Sequence, residues 1–356
     1  MVQSASVSEP LNVWDYEALA VERLDAGTHG YYAGGAGDEL TLRDNVEAYR
    51  RWQLRPRMLV DVAESTTATT VLGHDVSMPL LVAPVALQRA AHPDGEVAMA
   101  RAAKAVGTIM CLSTIATASP EEIAAVDGPR WFQLYVFRDE GVTRELIARV
   151  RETGYTALLL TVDAPVRGNR ERDLRTRFAL PPDIQVASMG RGGVTPKDIF
   201  DMVTPSLTWR DLERISSEAG LPLLVKGVLT AEDALLSVEH GAAGIVVSNH
   251  GGRQLDGVAA TIDALPEVVE AVAGRLEVLV DGGIRRGTDV VKALALGASA
   301  VLAGRAPLWG LTVDGEAGAR RVLELLREEI QTALQLVGAT SPADVTRTHI
   351  QRAGLQ

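Results

Sequence analysis

Residues 241–257 read GAAGIVVSNHGGRQLDG and join an apolar run to a polar, glycine-rich end. The run GIVVSNH (244–250) has the β-branched, almost continuous apolar character of a strand that is buried on both faces. A histidine, two glycines and an arginine follow at the point where such a strand would reach solvent. These residues fit either a functional site or an ordinary surface turn, and the rest of the chain has to separate the two interpretations.

The same pattern, a short apolar run followed by an amphipathic Ala/Glu/Arg-rich segment of helical period, recurs along the chain. It predicts βα units around a parallel sheet, and the number of units matches a (β/α)8 TIM barrel of the α/β class. The rival fold, a doubly wound open sheet, normally carries a G-x-G-x-x-G loop after its first strand, and no such loop follows residues 79–87. The eight predicted strands are PLLVAPVAL (79–87), TIMCLST (108–114), RWFQLYV (130–136), TALLLTVD (156–163), PLLVKGV (222–228), GIVVSNH (244–250), LEVLVDGG (276–283) and SAVLAGR (299–305).

We expect the whole chain, residues 1–356, to form a single domain. It would consist of a helical N-terminal extension over residues 12–55, the barrel over about 78–340 and a C-terminal helix. Residues 181–206, between the fourth and fifth strands, form the one long irregular segment. Loops of this length tend to be lids or mobile connections, so a mobile loop is predicted there.

Outside the barrel, the helical periodicity predicts three helices. Two lie in the N-terminal extension, at 13–24 and 38–52, with residues 31–37 (YYAGGAG) as a loop between them. The third is the long amphipathic segment GEAGARRVLELLREEIQTALQLVG at 315–338.

The composition limits the classes of function open to this chain. Its formal net charge of −11 argues against a nucleic-acid partner, which would need a basic patch, although local arginines can still hold a small anion. The one cysteine, Cys111, excludes an internal disulfide and a multi-cysteine metal cluster. Its apolar setting, TIMCLST, predicts a buried core thiol rather than a nucleophile, and no metal site is predicted.

The N-terminus, MVQSASVSEPLNVWDY, lacks the basic stretch and apolar stretch of a signal peptide. No apolar run in the chain approaches the roughly 18 residues that a membrane span requires. We therefore expect a cytoplasmic protein with no membrane partner.

In a (β/α)8 barrel the active site lies at the carboxyl ends of the strands, and in this chain those ends are unusually polar. Core positions would rarely carry so many ionisable groups. Their convergence on one mouth favours a functional site over a surface turn at SNHGG. The residues concerned are Gln133, Tyr135, Thr161, Asp163, Lys226, Ser248, His250, Asp281 and Arg305.

The last two strand ends, DGGIRRGTDV and AGR, have the features of a phosphate site. Their glycines let backbone N–H groups approach an anion, and Arg285 and Arg305 can bind phosphate oxygens. Lys226 would be costly to bury without an anion, and beside an electron-rich ring it could stabilise charge that develops on reduction. A phosphate anchor with a lysine beside a ring suggests flavin mononucleotide (FMN); two glycine-rich turns with surface arginines remain the alternative.

His250 and Asp163 have the residue types of a general base and its orienting carboxylate. Arg253 and Arg170 could hold a substrate carboxylate in a bidentate manner. The setting of Arg170, RERDLRTR, also fits the solvated start of a charged helix.

Taken together and in order, these segments resemble the FMN-dependent 2-hydroxy-acid oxidases and dehydrogenases, a family that includes glycolate oxidase, lactate oxidase and mandelate dehydrogenase. The resemblance runs from about residue 12 to the C-terminus. The segments that carry it are YYAGGAGDE, RPRML, PLLVAPVALQRAAHPDGE, FQLYV, LTVDAPVRGNRERD, LVKGV, SNHGGRQLDG, DGGIRRGTDV and LALGASAVLAGR.

The resemblance implies a role for each matching position. It makes His250 the catalytic base and Asp163 its partner, and it places Tyr135 near the substrate hydroxyl. The residues it assigns to the substrate carboxylate are Tyr31, Arg170 and Arg253. The residues it assigns to FMN are Ala86, Ser113, Gln133, Thr161, Lys226 and Ser248 around the ring, and Asp281, Gly283, Arg285, Gly304 and Arg305 at the ribityl chain and phosphate.

Two departures from the glycolate-using members bear on the substrate. Ile115 stands where those members have a tryptophan, and Val85 stands where they have a threonine. A wider pocket implies a bulkier, aromatic 2-hydroxy acid such as mandelate or 4-hydroxymandelate, and VRGNRERDLRTRF also resembles the mandelate-using branch. Long-chain aliphatic 2-hydroxy acids stay open, because an apolar pocket discriminates poorly among apolar side chains.

The resemblance also bears on the electron acceptor. Membrane-bound members carry an apolar insertion after strand four, whereas residues 181–206 are short and largely polar. Ala86 matches the oxidase-like members, where mandelate dehydrogenase has glycine. Both features favour O2 as acceptor, with hydrogen peroxide as product, over a dehydrogenase with another acceptor. Family members are commonly tetramers, which implies a homo-oligomer.

Two other classes of flavin-binding protein are disfavoured by the residues of this chain. A related flavin barrel could be an isomerase that acts on a diphosphate, but such an enzyme would not need His250 and Arg253 with Tyr31 and Tyr135 arranged for a carboxylate. A non-catalytic flavin-binding protein would be expected to have lost His250, Arg253 or Arg170, and all three are present.

Overall fold

The structure is a computed structural model that describes residues 9–189 and 196–354. Eight parallel strands form a closed barrel in chain order, and the last strand pairs with the first through Val301 and Leu80. This confirms the predicted (β/α)8 barrel, and each strand lies within a predicted apolar run. The strands are β1 (Leu80–Val82), β2 (Met110–Ser113), β3 (Arg130–Leu134), β4 (Leu158–Thr161), β5 (Leu223–Val228), β6 (Gly244–Val247), β7 (Glu277–Asp281) and β8 (Ala300–Ala303).

Alternate residues of each strand face the inside of the barrel, because strand side chains alternate between the two faces. The central layer is apolar, and the same period of two places a polar layer two residues further along, at the carboxyl mouth. The apolar layer includes Cys111, Trp131, Leu159, Leu224, Val246 and Leu279. The polar layer consists of Ser113, Gln133, Thr161, Lys226, Ser248 and Asp281, all buried.

The single cysteine of the chain lies in this apolar layer. Cys111 is a buried, free thiol, as predicted, and its burial raises its pKa. A hairpin of strands Thr69–Val71 and His74–Val76 packs against this layer through Val71 and Val76.

Helices surround the barrel and cover the outer faces of the strands. The last one, α13, contains non-helical residues at Asp314 and Gly315, and its second half matches the predicted helix at 315–338. The helices are α1 (Val13–Arg23), α2 (Ala26–Ala33), α3 (Leu40–Glu47), α4 (Gly95–Val106), α5 (Pro120–Ala124), α6 (Glu140–Glu152), α7 (Glu171–Thr176), α8 (Pro196–Met202), α9 (Trp209–Ala219), α10 (Ala231–Glu239), α11 (Thr261–Val272), α12 (Gly287–Ala295) and α13 (Arg305–Val337).

The N-terminal extension differs from the prediction in one respect. The predicted loop at 31–37 is wrong over its first part, because Tyr31 and Tyr32 belong to helix α2. Asp25 caps this helix by accepting bonds from the backbone N–H groups of Gly27 and Thr28. The glycine-rich sequence AGTHGYYA hides the helical period, whereas burial of the two tyrosines stabilises the helix.

The segment predicted to be irregular, 181–206, contains helix α8. This helix is anchored beside the end of β3, where Phe137 pairs with Val203 and the N–H of Arg138 donates to the carbonyl of Met202 at 2.9 Å. Residues 190–195 lie outside the described residues, and the mobility of the segment stays a prediction.

A two-stranded sheet joins the C-terminal region of the chain to the N-terminal extension. Strand Ile350–Arg352 pairs antiparallel with strand Trp52–Leu54, which follows the N-terminal helices. Over residues 9–189 and 196–354, no helix combines the length and apolar character needed to cross a membrane.

Candidate active site

A pocket with about 1030 Å³ of empty volume, part of it open to solvent, lies at the carboxyl ends of the strands. Sixteen of the predicted site residues line it: Tyr31, Ala86, Ser113, Ile115, Gln133, Tyr135, Thr161, Arg170, Lys226, His250, Arg253, Asp281, Gly283, Arg285, Gly304 and Arg305. The other two, Asp163 and Ser248, lie directly behind the lining and bond to residues that form it. The convergence predicted from the strand ends is therefore present in the structure.

His250 and Asp163 form the central pair of the site. Nδ1 of His250 lies 2.9 Å from Oδ1 of Asp163. Burial lowers the pKa of His250 below its ordinary value, and Asp163 opposes this shift only in part. Burial also disfavours the ionised form of Asp163, but the attraction of His250 and Lys226 outweighs it and lowers the pKa of the carboxyl.

These shifts fix the proton positions at neutral pH. An ionised carboxylate can only accept, so Nδ1–H of His250 donates to Asp163 and Nε2 keeps its lone pair. His250 is thus a neutral imidazole whose Nε2 is able to take up a proton. Gly227 makes room for this arrangement, since a Cβ there would lie 2.7 Å from Cβ of Asp163.

His250 also has an unusual backbone. Its φ of 59° lies in the left-handed region, which non-glycine residues seldom adopt, and Gly251 and Gly252 follow with φ of 64° and 75°. The N–H of His250 donates to Oγ of Ser248 at 3.1 Å, which supports the turn. Such backbone strain occurs where the surrounding structure holds a residue for a function.

A buried cation, Lys226, lies at the floor of the pocket. Nζ of Lys226 is 2.9 Å from Oγ of Ser248 and 3.1 Å from Oδ2 of Asp281. Burial alone would lower the pKa of Lys226, but Asp281 and Asp163 outweigh it, so the net shift is upward. Lys226 therefore stays charged and directs a positive charge at the pocket.

A row of amide and hydroxyl groups continues the floor across the neighbouring strands β4, β3 and β2. Nε2 of Gln133 donates to Oγ1 of Thr161 at 3.0 Å, and Oε1 accepts from Oγ of Ser113 at 3.2 Å. These groups offer donors and acceptors to a flat polar ring above them.

Two arginines lie on the side of the pocket next to His250. Nη1 of Arg253 donates to the carbonyls of Tyr31 and Gly34, and its guanidinium lies over the ring of Tyr31 at 4.9 Å. Arg170 is 5% exposed, which excludes the solvated helix start as its setting. Burial and the nearby Arg253 lower the pKa of Arg170 to about 10, so an anion between these two arginines would be stabilised.

Two further arginines mark the ends of β7 and β8. Arg305 donates to the carbonyls of Tyr32, Gly34 and Gly251. Burial, followed by repulsion from Arg253 and Arg285, lowers the pKa of Arg305 to about 9. Since each cation raises the cost of charging the next, this end of the pocket favours a bound anion.

The structure adds site residues that sequence reasoning missed. Phe200 of helix α8 lines the pocket and contacts Tyr135, with 5.6 Å between ring centroids, while the guanidinium of Arg170 lies over its ring at 5.7 Å. No signal marked Phe200, because it sits in the segment read as irregular. Gln254 was also missed, although its position beside Arg253 was a usable signal.

Gln254 connects two site loops. Its Oε1 accepts from the N–H of Gly168 at 3.1 Å and from Arg170 at 3.3 Å, and its Nε2 donates to the carbonyls of Asp163 and Val166 at 3.0 and 2.9 Å. One amide therefore holds both the backbone of Asp163 and the side chain of Arg170.

The fold and the site define a (β/α)8-barrel enzyme whose pocket carries arginines at the ends of β7 and β8. The family model of FMN-dependent dehydrogenases matches residues 20–352. The chain is 49% identical over 357 residues to an L-lactate oxidase of Nostoc sp., which covers 96% of this chain and 98% of that protein. It is 50% identical over 354 residues to glycolate oxidase 3 of Arabidopsis thaliana, which covers 96% of both chains.

Solved structures agree with these relatives. A mandelate oxidase with (S)-4-hydroxymandelic acid superposes with a TM-score of 0.92 at 43% identity, over 96% of this chain and 98% of that chain. The chain belongs to the FMN-dependent dehydrogenase family. Its similarity to the lactate and glycolate oxidases over nearly its full length identifies it as an FMN-dependent 2-hydroxy-acid oxidase.

The pocket fits FMN in charge and in hydrogen-bonding groups. The arginines at one end suit a phosphate, and Lys226 lies at the floor of the pocket, beside the space where a ring would lie. Oδ1 of Asp281 is buried without a hydrogen-bond partner in the described part of the chain, which suits a hydroxyl donor such as that of a ribityl chain. Within the same described residues, no cluster of three or more His, Cys, Asp or Glu side chains could hold a metal ion.

Proposed function

We propose that the protein oxidises an (S)-2-hydroxy acid with a bulky, aromatic side chain to the 2-oxo acid and reduces O2 to hydrogen peroxide. The observation that carries the proposal is the neutral His250, bonded to Asp163, in a pocket that also presents Arg253 and Arg170. A base and an anion-binding pair on one wall suit a substrate that carries a hydroxyl and a carboxylate on adjacent carbons.

In this proposal Arg253 and Arg170 bind the substrate carboxylate, with the hydroxyls of Tyr31 and Tyr135 beside it. Burial raises the pKa of Tyr135, so its phenol stays protonated and donates. Nε2 of His250 takes one proton from the substrate, and Asp163 stabilises the imidazolium that forms. Bound FMN supplies the two-electron acceptor for this oxidation.

The proposal also gives residues of this pocket the FMN-binding roles that the family resemblance implies. Lys226 would lie near the N1 and C2 carbonyl of the ring, and the backbone of Ala86 would also contact the ring. The remaining ring contacts would come from Ser113, Gln133 and Thr161, and Ser248 would act from behind the lining through its bond to Lys226. The ribityl chain and phosphate would lie near Asp281, Gly283, Arg285, Gly304 and Arg305.

The substrate side chain would meet an apolar wall formed by Val85, Ile115 and Phe200, which all line the pocket. Aromatic rings pack favourably against such a wall. The similarity to a mandelate oxidase with (S)-4-hydroxymandelic acid supports mandelate or 4-hydroxymandelate. The higher identity to an L-lactate oxidase favours a small 2-hydroxy acid as second candidate, and long-chain aliphatic acids fit the same wall.

Oxygen as the acceptor is supported by the names of the relatives, which are oxidases. A dehydrogenase with another acceptor is the alternative.

The proposal also includes a location in the cytoplasm, assembly into a homo-tetramer and organisation as a single domain. Light scattering of the purified protein tests the assembly.

The test is anaerobic mixing of the purified flavoprotein with (S)-mandelate, (S)-4-hydroxymandelate, glycolate, L-lactate and 2-hydroxyoctanoate, followed through the visible absorbance of the flavin. Fastest bleaching by a mandelate, with prompt recovery and peroxide formation in air, supports the proposal. Fastest bleaching by lactate or glycolate overturns the aromatic substrate. Slow recovery in air overturns O2 as acceptor, and no bleaching by any of the acids overturns the roles of His250 and Arg253.

A further inference from the structure

The loop that carries His250 is held from outside the barrel by helix α3 of the N-terminal extension. The side-chain amides of Asn45 and Asn249 form a reciprocal pair, with Nδ2 of each residue 2.8 Å from Oδ1 of the other. Both residues are buried, with 2% and 3% exposure. Asn249 immediately precedes His250, so the pair fixes the chain at the residue next to the proposed base.

This pair acts on the left-handed turn at His250. Because left-handed backbone is unfavourable for a histidine, the surroundings have to impose it. Oδ1 of Asn249 also accepts from the N–H of Gly252 at 3.1 Å, and its carbonyl accepts from the same group at 3.0 Å. Asn45 therefore orients the amide that closes the turn around His250.

Asn45 is itself held firmly. Its Oδ1 accepts from the N–H of Thr261 at 3.3 Å, at the start of the helix that follows the loop. Its backbone packs so closely on the end of β7 that a Cβ on Gly283 would lie 1.9 Å from the Asn45 carbonyl oxygen. The α3 helix is tied to the far end of the same loop, where Asp256 accepts from the N–H of Thr41 at 2.8 Å.

We propose that Asn45 is a positioning residue for the reaction: its amide pair with Asn249 holds the turn that directs the His250 imidazole at the substrate. The inference rests on the proposed role of His250 as the base. Small displacements of a reacting group are costly, and an error of about 1 Å can slow a reaction by roughly 100-fold.

The experiment compares three variants as holoenzymes. Asn45→Leu keeps the approximate shape but removes both amide bonds, and Asn45→Asp keeps one acceptor for Asn249. Thr41→Val is the matched control, since Thr41 lies in the same helix, is 1% exposed and bonds the same loop through Gly257 and Val258. FMN content and Tm are measured for each, followed by anaerobic stopped-flow reduction with the 2-hydroxy acid that reduces the wild type fastest.

We expect the limiting rate of flavin reduction to fall by about 100-fold in Asn45→Leu and by about 10-fold in Asn45→Asp. It should stay within about twofold of wild type in Thr41→Val, and the substrate Kd should stay within about threefold in all variants. Equal rates in Asn45→Leu and Thr41→Val overturn the proposal. Should Asn45→Leu fail to fold, Asn45→Asp decides by the same comparison with Thr41→Val.

The pH profile adds a second readout that reports on the surroundings of His250. The charged groups that face His250 are Asp163, Lys226 and Arg170. Displacement of the imidazole changes both its burial, which lowers its pKa, and its contact with Asp163, which raises it, so the acid limb of the reduction rate should move in Asn45→Leu and stay in place in Thr41→Val. An unshifted limb contradicts the proposal. If no 2-hydroxy acid reduces the wild-type flavin, the proposed function fails instead, which separates the two outcomes.

Discussion

His250 and Asp163 are joined by a 2.9 Å contact between Nδ1 and Oδ1, across loops that follow β6 and β4. The pair brings together residues 87 positions apart in the chain. It leaves Nε2 of the imidazole free to accept a proton at neutral pH, since burial holds the pKa of His250 below its ordinary value. The pair therefore makes direct predictions about rate and about pH.

Replacing His250 by alanine should leave FMN bound but slow its reduction by the substrate. A general base contributes roughly 10²- to 10⁴-fold to a rate, so a loss in that range is expected in anaerobic stopped flow. His240→Ala is the matched control, because His240 forms a similar contact with Glu213, 2.7 Å away, outside the pocket. A His250→Ala protein that loses FMN would assign His250 to cofactor binding instead.

The rate of flavin reduction should depend on pH through His250. Only the neutral imidazole accepts a proton, so the rate should be level at neutral pH and fall as the pH drops through the lowered pKa of His250, with a midpoint below its ordinary value of 6.5. A midpoint above 6.5 would contradict this account of the site.

Asp163→Asn changes that profile in a defined direction. Asp163 raises the pKa of His250 against the effect of burial, so its removal should lower the pKa further and move the acid limb to lower pH. The level part of the profile should fall by about 100-fold or more, because the imidazolium that forms is no longer stabilised. An acid limb that moves to higher pH would show that Asp163 does not act on His250.

Much of this site follows from the sequence because a strand has a period of two. Once the apolar runs are assigned to strands, residues such as Gln133 and Lys226 have to face the inside of the barrel at its carboxyl end. The assignment needs no knowledge of long-range contacts. Cys111 follows in the same way, two residues before the polar layer.

The residues that escaped prediction depend on contacts between distant segments. Phe200 reaches the pocket because α8 is anchored beside β3, and the pairing of Asn45 with Asn249 spans 204 positions. Neither has a local signature, since asparagine and phenylalanine occur in many loops and helices. Helix α2 was missed for a different reason: burial of its tyrosines offsets a poor helical propensity.

Ile115 provides a test of substrate size. Ile115→Trp would fill the space beside the apolar wall, where Ile115 is buried and lines the pocket. We expect the ratio of reduction rate to Kd to fall by at least about 10-fold for mandelate and to change far less for glycolate, because excess volume in a packed pocket is costly. Ile115→Leu conserves volume and should keep the wild-type preference. Equal losses for both acids would place the substrate side chain elsewhere.

Gln254 provides a test of carboxylate binding that leaves the base intact. Gln254→Leu removes the acceptor for Arg170 and the donor for the carbonyl of Asp163. A hydrogen bond to a charged group contributes about 1.5–3 kcal/mol, so the Kd for the substrate should rise by roughly 10- to 100-fold. Because Nδ1 of His250 still bonds the side chain of Asp163, the limiting rate of reduction should fall less than the affinity.

The control for Gln254 is Gln351→Leu, since Gln351 is exposed and bonds only to Gln53 among the hydrogen bonds of the described residues. Its substrate Kd should equal that of the wild type. A Gln254→Leu protein with unchanged Kd and a slow limiting rate would mean that the amide serves Asp163 rather than Arg170. In that case Arg170 would be held in place by Arg253 and Phe200 alone, and the proposed contribution of Gln254 to carboxylate binding would be withdrawn.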